Sequence, residues 1–337
     1  DHEHCLKAEE TYLPTRVIDC SDPSKPRLVE THRQIKAHYC ALSYVWGGEQ
    51  NQKTTTTNVS TYLREGLPTL PQTIADAVLA THKLGIRYLW VDALCIIQDS
   101  NEDKGKELAD MGRIYLDAYL ALSILSTFRA NGGFLPDERA PVALPFYTST
   151  KSDNPECMWL KYCVVYPNPR KGFKTDTTPI YAPLDERAWC LQESTLSPRR
   201  LIFQIPYVEY ECRSFSESLT KGALQSEGKI AHPMNDYILF PKQASNDDIS
   251  NIDELRDHWG SILAGYTGCK ITVPADKLVA LAGVAEIFQS RFNDDYIAGL
   301  WRKTLLDDLL WRVFGPGCRP AEYRAPTWSW ASVDGSI

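Results

Sequence analysis

The feature that most constrains the fold is an alternation of apolar and amphipathic segments between residues 36 and 130. Apolar runs, typical of strands buried on both faces, lie at 39–45, 88–91 and 118–125. Between them, apolar residues recur at helical spacing over 74–84 and 108–118. The order strand, helix, strand, helix, strand predicts parallel strands joined by right-handed crossovers. The predicted fold class is therefore α/β.

Local signals set the ends of these helices. Thr69-x-x-Gln72 is typical of a capping box, and Gly85 suits the position after the end of the same helix. Ser100-x-x-Asp103 predicts the start of the second helix, which runs on through the periodic residues to 118. The polar stretch at 54–58 has no helical period and is predicted to be a loop.

The second half of the chain is less regular. Residues 136–182 are rich in proline and predict extended segments and loops, with an irregular hairpin around 158–165. A helix is predicted to open at 185–192, and a hairpin with a turn at Pro206 is predicted over 200–205 and 207–212. Helical patterns return at 251–265, 276–292 and 300–314. Trp328 and Trp330 suit a strand that presents both indoles to one face.

Charge and hydropathy exclude several classes of protein. The chain has 36 Lys+Arg against 43 Asp+Glu, a formal net charge of -7, and no cluster of basic residues. Such a chain is a poor nucleic-acid binder, because that affinity comes mainly from neutralising phosphates. No apolar run approaches the roughly 20 residues that cross a bilayer, so no membrane span is expected.

Ten cysteines are scattered over the 337 residues without a CxxC pair. Several lie in apolar runs, as Cys95 does, where a free thiol behaves as a small buried hydrophobe. We therefore expect free thiols in a reducing compartment, a cytoplasmic location and no metal site. The first residues, Asp1-His2-Glu3-His4, lack the basic and apolar regions of a signal peptide.

Several blocks in a fixed order carry a family resemblance. The most informative are ALSYVWG at 41–47, LWVDALCIIQD at 89–99, LDERAWCLQE at 184–193, DKLVALAG at 276–283 and APTWSWAS at 325–332. Together they resemble the fungal heterokaryon incompatibility (HET) domain and its C-terminal region, over roughly residues 14–334. Ordered blocks of this length are far more specific than any single motif.

This resemblance implies both a fold and a biological setting. Many HET-domain proteins act in fungal non-self recognition, where incompatible alleles trigger growth arrest and cell death after hyphal fusion. The domain is distantly similar to the TIR domain, a flavodoxin-like α/β fold with a mostly parallel sheet. Some TIR domains cleave NAD with a glutamate, and others assemble as scaffolds. We expect an N-terminal strand and loop segment at 1–35, a TIR-like HET core at 36–200 and a mixed α+β extension at 201–337, all in one compact body.

Candidate site residues follow the ends of the predicted strands. Asp92 comes directly after the strand at 88–91, and ligands bind beyond the carboxyl ends of strands in open parallel sheets. The same logic places Ser43, Tyr44, Trp46 and Gly47 beside Asp92, at the end of the first strand. Gly47-Gly48 allows close backbone approach but forms no GxGxxG motif. Alternatively, Asp92 caps a turn or pairs with an arginine.

Glu107 is the candidate that the TIR resemblance implies. By that analogy it would stabilise the oxocarbenium-like ribosyl transition state of NAD cleavage, as carboxylates do in glycosyl transfer. Glu102 is a nearby alternative. If Glu107 has no catalytic role, it is expected to be a solvated carboxylate near the amino end of its helix. Cys95 would need an adjacent base such as His82 to act as a nucleophile, and its apolar flanks favour an inert thiol.

A second polar group interrupts an apolar block. Glu193 and Arg199, with Arg187 and Gln192, could complete a pocket against Asp92 and Gln98. They could equally form a buried ion-pair network that joins the two halves of the chain.

Three functions stay open at this point. In the first, the chain is an incompatibility effector that cleaves NAD or a related nucleotide, with Glu107 and Asp92 nearest the chemistry. It would work as a homo-oligomer or with an incompatibility partner protein, with NAD as a substrate rather than a cofactor. In the second, it is a signalling or assembly module without turnover. In the third, it is a small-molecule enzyme of specialised metabolism with a cavity lined by Trp and Tyr.

Overall fold

A computed structural model of the chain describes residues 9–48, 50, 52–135, 142–146, 156–160, 184, 186–204, 208–212, 215–218 and 252–337. The strands of the N-terminal region and the HET-like core are β1 (Thr11–Tyr12), β2 (Arg16–Asp19), β3 (Arg27–Glu30), β4 (Lys36–Ala37), β5 (Tyr39–Ser43), β6 (Tyr88–Trp90) and β7 (Leu120–Ile124). The helices between them are α1 (Val59–Glu65), α2 (Gln72–Lys83), α3 (Asp92–Cys95), α4 (Asn101–Ala109) and α5 (Met111–Leu116).

The later strands are β8 (Val142–Phe146), β9 (Glu156–Leu160), β10 (Arg199–Phe203), β11 (Val208–Cys212), β12 (Phe215–Ser218), β13 (Tyr296–Ile297), β14 (Leu300–Trp301), β15 (Phe314–Cys318) and β16 (Asp334–Ser336). The later helices are α6 (Ala188–Leu196), α7 (Ile252–Thr267), α8 (Val279–Phe292) and α9 (Leu305–Asp308). Short 3-10 helices cover Pro274–Lys277 and Trp330–Ser332.

The main sheet of the described residues has eight strands in the order β12-β11-β10-β7-β5-β6-β2-β3. Its four central strands, β10, β7, β5 and β6, are mutually parallel. Antiparallel pairs extend both sides of this centre, β2 with β3 on one side and β11 with β12 on the other. The α/β class is confirmed, but the sheet is mixed rather than mostly parallel. The N-terminal and C-terminal segments supply the antiparallel strands.

Along the chain, the parallel strands occur as β5, β6, β7 and β10, yet in space they lie in the order β6-β5-β7-β10. The chain adds β6 on one side of β5 and then crosses to add β7 on the other side. The connections after β5 and after β7 therefore diverge at the carboxyl edge of the sheet. This point of divergence is where open α/β sheets form a crevice.

Apolar burial explains why the predicted strands form. β5, β6 and β7 are buried along their whole length, as their continuous apolar sequences require. Trp90 packs edge-on against Tyr115 of α5, with ring centroids 5.8 Å apart. The sheet core thus forms from the strand sequences and one face of the following helices.

Two close contacts join α8, in the C-terminal region, to α5 and α6. A methyl group added to Gly283 would lie 2.7 Å from the Cα of Gly112, so the backbones of α5 and α8 nearly touch. The N–H of Gly283 also donates a 2.8 Å hydrogen bond to Oε1 of Gln192. These contacts pack α8 directly against α5 and α6, while one compact body for the whole chain stays a prediction.

Most predicted helix positions are confirmed, with local differences. Ser100 caps α4 by accepting a hydrogen bond from the Asp103 N–H, and Gly85 follows α2 with a left-handed φ of 75°. The predicted second helix is divided at Asp110 into α4 and α5. Residues 59–65 form α1, which the sequence analysis missed.

Three local predictions are wrong. α2 begins at Gln72 after Pro71 without a side-chain cap, so the Thr69–Gln72 box does not form. Within 300–314, only Leu305–Asp308 is α-helical, because β14 and β15 take the two ends of the segment. Trp330 is buried in a 3-10 helix while Trp328 is 39% exposed, so the two indoles do not share a strand face.

The hairpin around 200–212 is confirmed as β10 and β11, and its turn at Pro206 lies outside the described residues. β8 and β9 form an antiparallel hairpin, whereas residues 161–165 of the predicted irregular hairpin lie outside the described part of the chain. Within that part, no helix combines the length and the apolar character needed to cross a bilayer.

Candidate functional site

Parallel strands bring Asp92 and the residues after β5 to one edge of the sheet. Asp92 follows β6 and is partly exposed, and its Oδ2 accepts a 2.8 Å hydrogen bond from the indole Nε1 of Trp46. Its Oδ1 accepts the N–H of Ala93 at 2.7 Å, which fixes the carboxylate against its own backbone. The structure therefore places Asp92 and Trp46 in contact, as the sequence predicts.

Two charged side chains from the region of α6 reach the same edge. Nη1 of Arg187, the residue before α6, donates a 2.8 Å hydrogen bond to the carbonyl oxygen of Tyr44. The Arg187 guanidinium stabilises the charges of both Asp92 and Glu193. Glu193 lies in the second turn of α6 and is 8% exposed. We call Tyr44, Asp92, Arg187 and Glu193 the Asp92 cluster.

Burial sets the protonation of these carboxyls. Burial raises the pKa of Glu193 to about 7, against the opposing effects of the Ser43 hydroxyl and the Arg187 charge. Burial also raises the pKa of Asp92, while Arg187, the Ala93 N–H and the Trp46 N–H oppose the rise. The cluster thus contains two different carboxyls. Glu193 has a pKa near neutral pH, and Asp92 accepts hydrogen bonds from the Trp46 and Ala93 N–H groups. Such pairs are common at catalytic sites.

Two tyrosines complete the buried wall of the cluster. The hydroxyl of Tyr44 is buried near Asp92 and has no hydrogen-bond partner among the described residues. The hydroxyl of Tyr115 donates a 2.9 Å hydrogen bond to the carbonyl of Leu42, and its surroundings include Glu193. Sequence reasoning missed Tyr115, because it falls on the apolar face of its helix.

Gln98 and Gly47 support this arrangement through the backbone. Nε2 of Gln98 donates to the carbonyl of Asp92 at 2.9 Å and to that of Ile96 at 3.2 Å, so it braces the turn after β6. Gly47 has a φ of 72°, and a Cβ there would collide with the Phe128 carbonyl. This glycine is needed where the connection after β5 meets the connection after β7.

Those two connections line a polar cavity of about 380 Å³, which we call the switch-point cavity. Trp46 lines this cavity and also binds Asp92, so the cavity and the cluster share a wall. The complete lining of described residues is Trp46, Gly47, Gly48, Gln50, Gln52, Pro71, Arg129, Ala130 and Asn131. Sequence reasoning missed Arg129 and Gln50, which lie in loops without a motif.

The structure places Glu107 in a different environment. Its side chain is fully buried on α4, and neither carboxylate oxygen has a hydrogen-bond partner among the described residues. Burial raises its pKa, and the opposing influences come from Thr15, Arg16 and Arg33 rather than from Arg187. Glu107 and Asp92 are both electrostatic neighbours of the Cys95 thiol. A catalytic role for Glu107 stays a prediction.

Arg199 lies at the opposite edge of the sheet from Asp92. It begins β10, which is parallel to β7, and therefore stands at the amino edge of the parallel strands. Its guanidinium lies over the ring of Tyr119, 5.4 Å from the centroid. The structure thus separates Arg199 from the Asp92 cluster, although both Arg199 and Glu193 belong to one sequence block.

The described cysteines are free thiols, among them Cys20, Cys40, Cys95 and Cys190 in the core. Burial raises the pKa of Cys95 to about 12, which argues against a thiolate nucleophile. His82 contacts the carbonyl of Cys20 rather than Cys95. The described residues contain no cluster of His, Cys, Asp and Glu that could hold a metal ion.

Comparison with known proteins supplies a family. The model of the family described as "Heterokaryon incompatibility protein (HET)" matches residues 39–193, from β5 to Glu193 of the cluster. A curated protein of Neurospora crassa, "Heterokaryon incompatibility protein 6, OR allele", is 27% identical over 132 residues. That alignment covers 36% of this chain and 19% of the relative, so the chain matches only about a fifth of that protein.

No solved structure matches the chain. The family match includes Ser43, Tyr44, Trp46, Asp92, Arg187 and Glu193, which form or adjoin the Asp92 cluster. It also runs over the ordered blocks at 41–47, 89–99 and 184–193. Over residues 39–193, the chain therefore matches the model of the heterokaryon incompatibility (HET) protein family.

Proposed function

We propose that this chain acts in fungal non-self recognition and cell death, and that the Asp92 cluster cleaves the N-glycosidic bond of NAD or a related nucleotide. The setting is the cytoplasm of a filamentous fungus, with an incompatibility protein as partner. The HET family match and the likeness to an incompatibility protein support the role in non-self recognition. The chemistry is argued from the site itself.

One observation carries the chemical part. The Arg187 charge acts on both the Asp92 and the Glu193 carboxyls at the carboxyl edge of the sheet, and the environments of these carboxyls differ. Glycosidic cleavage needs such a pair, because one carboxylate must stabilise a positively charged sugar while another group transfers a proton. The Asp92 carboxylate, held by Trp46 and Ala93, suits the first role. Glu193, with a pKa of about 7, suits the second role.

The proposed reaction is a hydrolysis. The bond between C1′ of the ribose and the nicotinamide nitrogen breaks, and nicotinamide leaves with the electron pair. The oxygen of a water molecule forms the new bond to C1′, and the Glu193 carboxylate accepts the proton that this water loses. Asp92 stabilises the oxocarbenium-like charge between these events.

The strand order supports the TIR analogy. The order β6-β5-β7-β10 corresponds to second, first, third and fourth along the chain, which is the order of flavodoxin-like sheets. In that class ligands bind where the order reverses, here between β5 and β7. By this analogy the chain works as a homo-oligomer.

The test follows nicotinamide release from NAD by the purified chain over a range of protein concentrations. Asp92→Asn and Glu193→Gln are expected to abolish release, with unchanged circular dichroism. Asp253→Asn is the matched control, since that side chain is 83% exposed. Full activity of either cluster variant, or no release by the wild-type chain even at high concentration, would contradict the proposal. Loss of release in Glu107→Gln, with release retained in the cluster variants, would move the site to Glu107.

A second candidate is a signalling module that self-associates without turnover. It is favoured by large apolar side chains exposed near the C-terminal end, with Leu306 83%, Leu310 80% and Tyr323 81% exposed. Light scattering distinguishes this function. A concentration-dependent mass that Leu306→Ser with Leu310→Ser abolishes, in a chain that releases no nicotinamide, would favour the module over the enzyme.

A further inference from the structure

The switch-point cavity has a place in the fold that suits a ligand. It lies where the connection after β5, with Trp46, Gly47 and Gln50, faces the connection after β7, with Arg129 to Asn131. These two strands are neighbours in the sheet, and the next elements of the chain go to opposite sides. In open α/β sheets, ligands bind in the crevice at this position.

The described lining of the cavity carries a positive charge, that of Arg129. Arg129 is exposed, and its guanidinium makes no ion pair with any residue that the structure describes. The other described lining side chains are the amides of Gln50, Gln52 and Asn131, the indole of Trp46 and Pro71. Within this described lining there is no acidic residue. The described lining residues therefore offer one cation and neutral polar groups to a ligand.

The amino end of α2 adds to this positive character. Pro71, which precedes the first residue of α2, lines the cavity. The positive dipole end of this 12-residue helix therefore adjoins the cavity, although the N–H of Thr73 in its first turn already donates to the carbonyl of Ala130. Asp76, one turn along α2, is occupied elsewhere, because its Oδ2 accepts the N–H groups of Phe134 and Leu135 at 2.7 and 3.0 Å. Helix amino ends and arginines together favour phosphate oxygens.

Trp46 links this cavity to the proposed chemistry. Its side chain lines the cavity while its Nε1 holds Asp92, and its carbonyl accepts Nε2 of Gln50 at 2.9 Å and the N–H of Ala130 at 3.2 Å. A ligand with its sugar at Asp92 would thus extend past the indole toward Arg129. A dinucleotide carries its pyrophosphate on the ribose that must sit at Asp92.

We infer that the switch-point cavity is a phosphate subsite, in which Arg129, beside the amino end of α2, binds the pyrophosphate of a dinucleotide whose ribose lies at Asp92. This inference rests on the proposed function, because it names the part of the substrate that the same site recognises. It assigns Arg129 to substrate binding rather than to bond cleavage. The consequence is a preference for phosphorylated ligands over the nucleoside.

The test measures binding by isothermal titration calorimetry with NAD, nicotinamide riboside and inorganic pyrophosphate. Wild-type protein should bind NAD and pyrophosphate, and bind nicotinamide riboside at least about tenfold more weakly than NAD, as loss of a charge-assisted contact implies. Arg129→Gln should weaken the binding of NAD and of pyrophosphate by a similar factor. The affinity for nicotinamide riboside should be unchanged. Arg129→Lys should recover part of the loss. Arg64→Gln, an exposed arginine paired with Glu65, is the matched control.

The outcomes separate the two proposals. Pyrophosphate binding that needs Arg129, without any release of nicotinamide, would keep the phosphate subsite and overturn NAD cleavage. Nicotinamide release with equal affinity for NAD and the riboside, unchanged in Arg129→Gln, would keep the cleavage and overturn the subsite. Absence of pyrophosphate and NAD binding by the wild-type chain would also overturn the subsite. Thermal melts of each variant exclude loss of folding as the cause.

Discussion

The indole Nε1 of Trp46 donates a 2.8 Å hydrogen bond to Oδ2 of Asp92. The two residues are 46 positions apart and follow neighbouring parallel strands, β5 and β6. This bond favours the ionised form of Asp92, against the burial that raises the pKa of its carboxyl. Trp46 is therefore a positioning residue for the carboxylate that the proposed chemistry needs.

Trp46→Phe is predicted to raise the pKa of Asp92 further, because phenylalanine fills similar space but donates no hydrogen bond. Carbon-13 NMR of the carboxyl groups, with the Asp92 signal assigned by Asp92→Asn, measures this titration directly. Nicotinamide release should fall, and the acidic limb of its pH profile should move to higher pH. Trp328→Phe is the control, since that residue is 39% exposed. An unchanged Asp92 titration in Trp46→Phe would show that the bond has no electrostatic role.

Glu193→Gln is predicted to change how stability depends on pH. The pKa of Glu193 is raised from 4.5 to about 7 in the folded chain, so the folded state binds more protons than the unfolded state between these values. Its contribution to stability is present below pH 4.5 and is lost as the pH rises through 7. Glutamine mimics the protonated carboxyl and removes this loss.

Urea unfolding at intervals from pH 4 to pH 8 checks this prediction. The variant should match the wild type near pH 4 and exceed it in free energy of unfolding near pH 8. Glu65→Gln, with a side chain 60% exposed, should follow the wild-type curve. Parallel curves for Glu193→Gln and the wild type would show that Glu193 titrates as an ordinary glutamate.

Local signals in the sequence predict structure well where the chain interacts only with its neighbours. The Ser100 cap of α4 and the left-handed Gly85 after α2 are such cases. The capping box at Thr69 fails because a distant residue replaces it. The N–H of Thr73, in the first turn of α2, donates to the carbonyl of Ala130 at 2.8 Å. A donor that tertiary structure satisfies needs no side-chain cap.

The same distinction explains the site. The apolar runs predict where β5 and β6 end. The proximity of Ser43, at the end of β5, and Asp92, just after β6, is therefore predictable from the rule for parallel strands. Arg187 joins them through the carbonyl of Tyr44, 143 residues away in sequence, and no local pattern indicates that contact. The predicted helix over 300–314 fails for a related reason, since Trp301 packs against Trp259 and Phe292 with ring centroids 5.2 and 4.8 Å apart.

Ser100→Ala is predicted to destabilise the chain by about 1 kcal/mol, the usual cost of losing a helix N-cap. The Ser100 Oγ accepts the Asp103 N–H at 3.2 Å, and alanine leaves that donor without its side-chain partner. Chemical denaturation measures the difference in free energy of unfolding. Ser100→Thr keeps the hydroxyl and should retain most of the stability. Equal losses in both variants would place the effect in packing rather than in the cap.

Gly283→Ala is predicted to loosen the contact between α8 and the α5–α6 pair. The new methyl group would lie 2.7 Å from the Cα of Gly112 and 3.0 Å from Oε1 of Gln192, which also accepts the Gly283 N–H. Because the closest atom belongs to the backbone, the helices must separate. Overpacking of this kind costs about 1–3 kcal/mol.

The matched control is Gly260→Ala, in the interior of α7, where an added Cβ meets nothing within 4 Å. That change should stabilise the chain by about 0.5–1 kcal/mol, because alanine loses less backbone entropy in a helix. Urea unfolding followed by circular dichroism and by tryptophan fluorescence compares the two variants. If α8 and the α5–α6 region unfold together, Gly283→Ala lowers the transitions seen by circular dichroism and by fluorescence equally. A shift confined to one transition, with the other unchanged, would show that the two regions are energetically separate bodies.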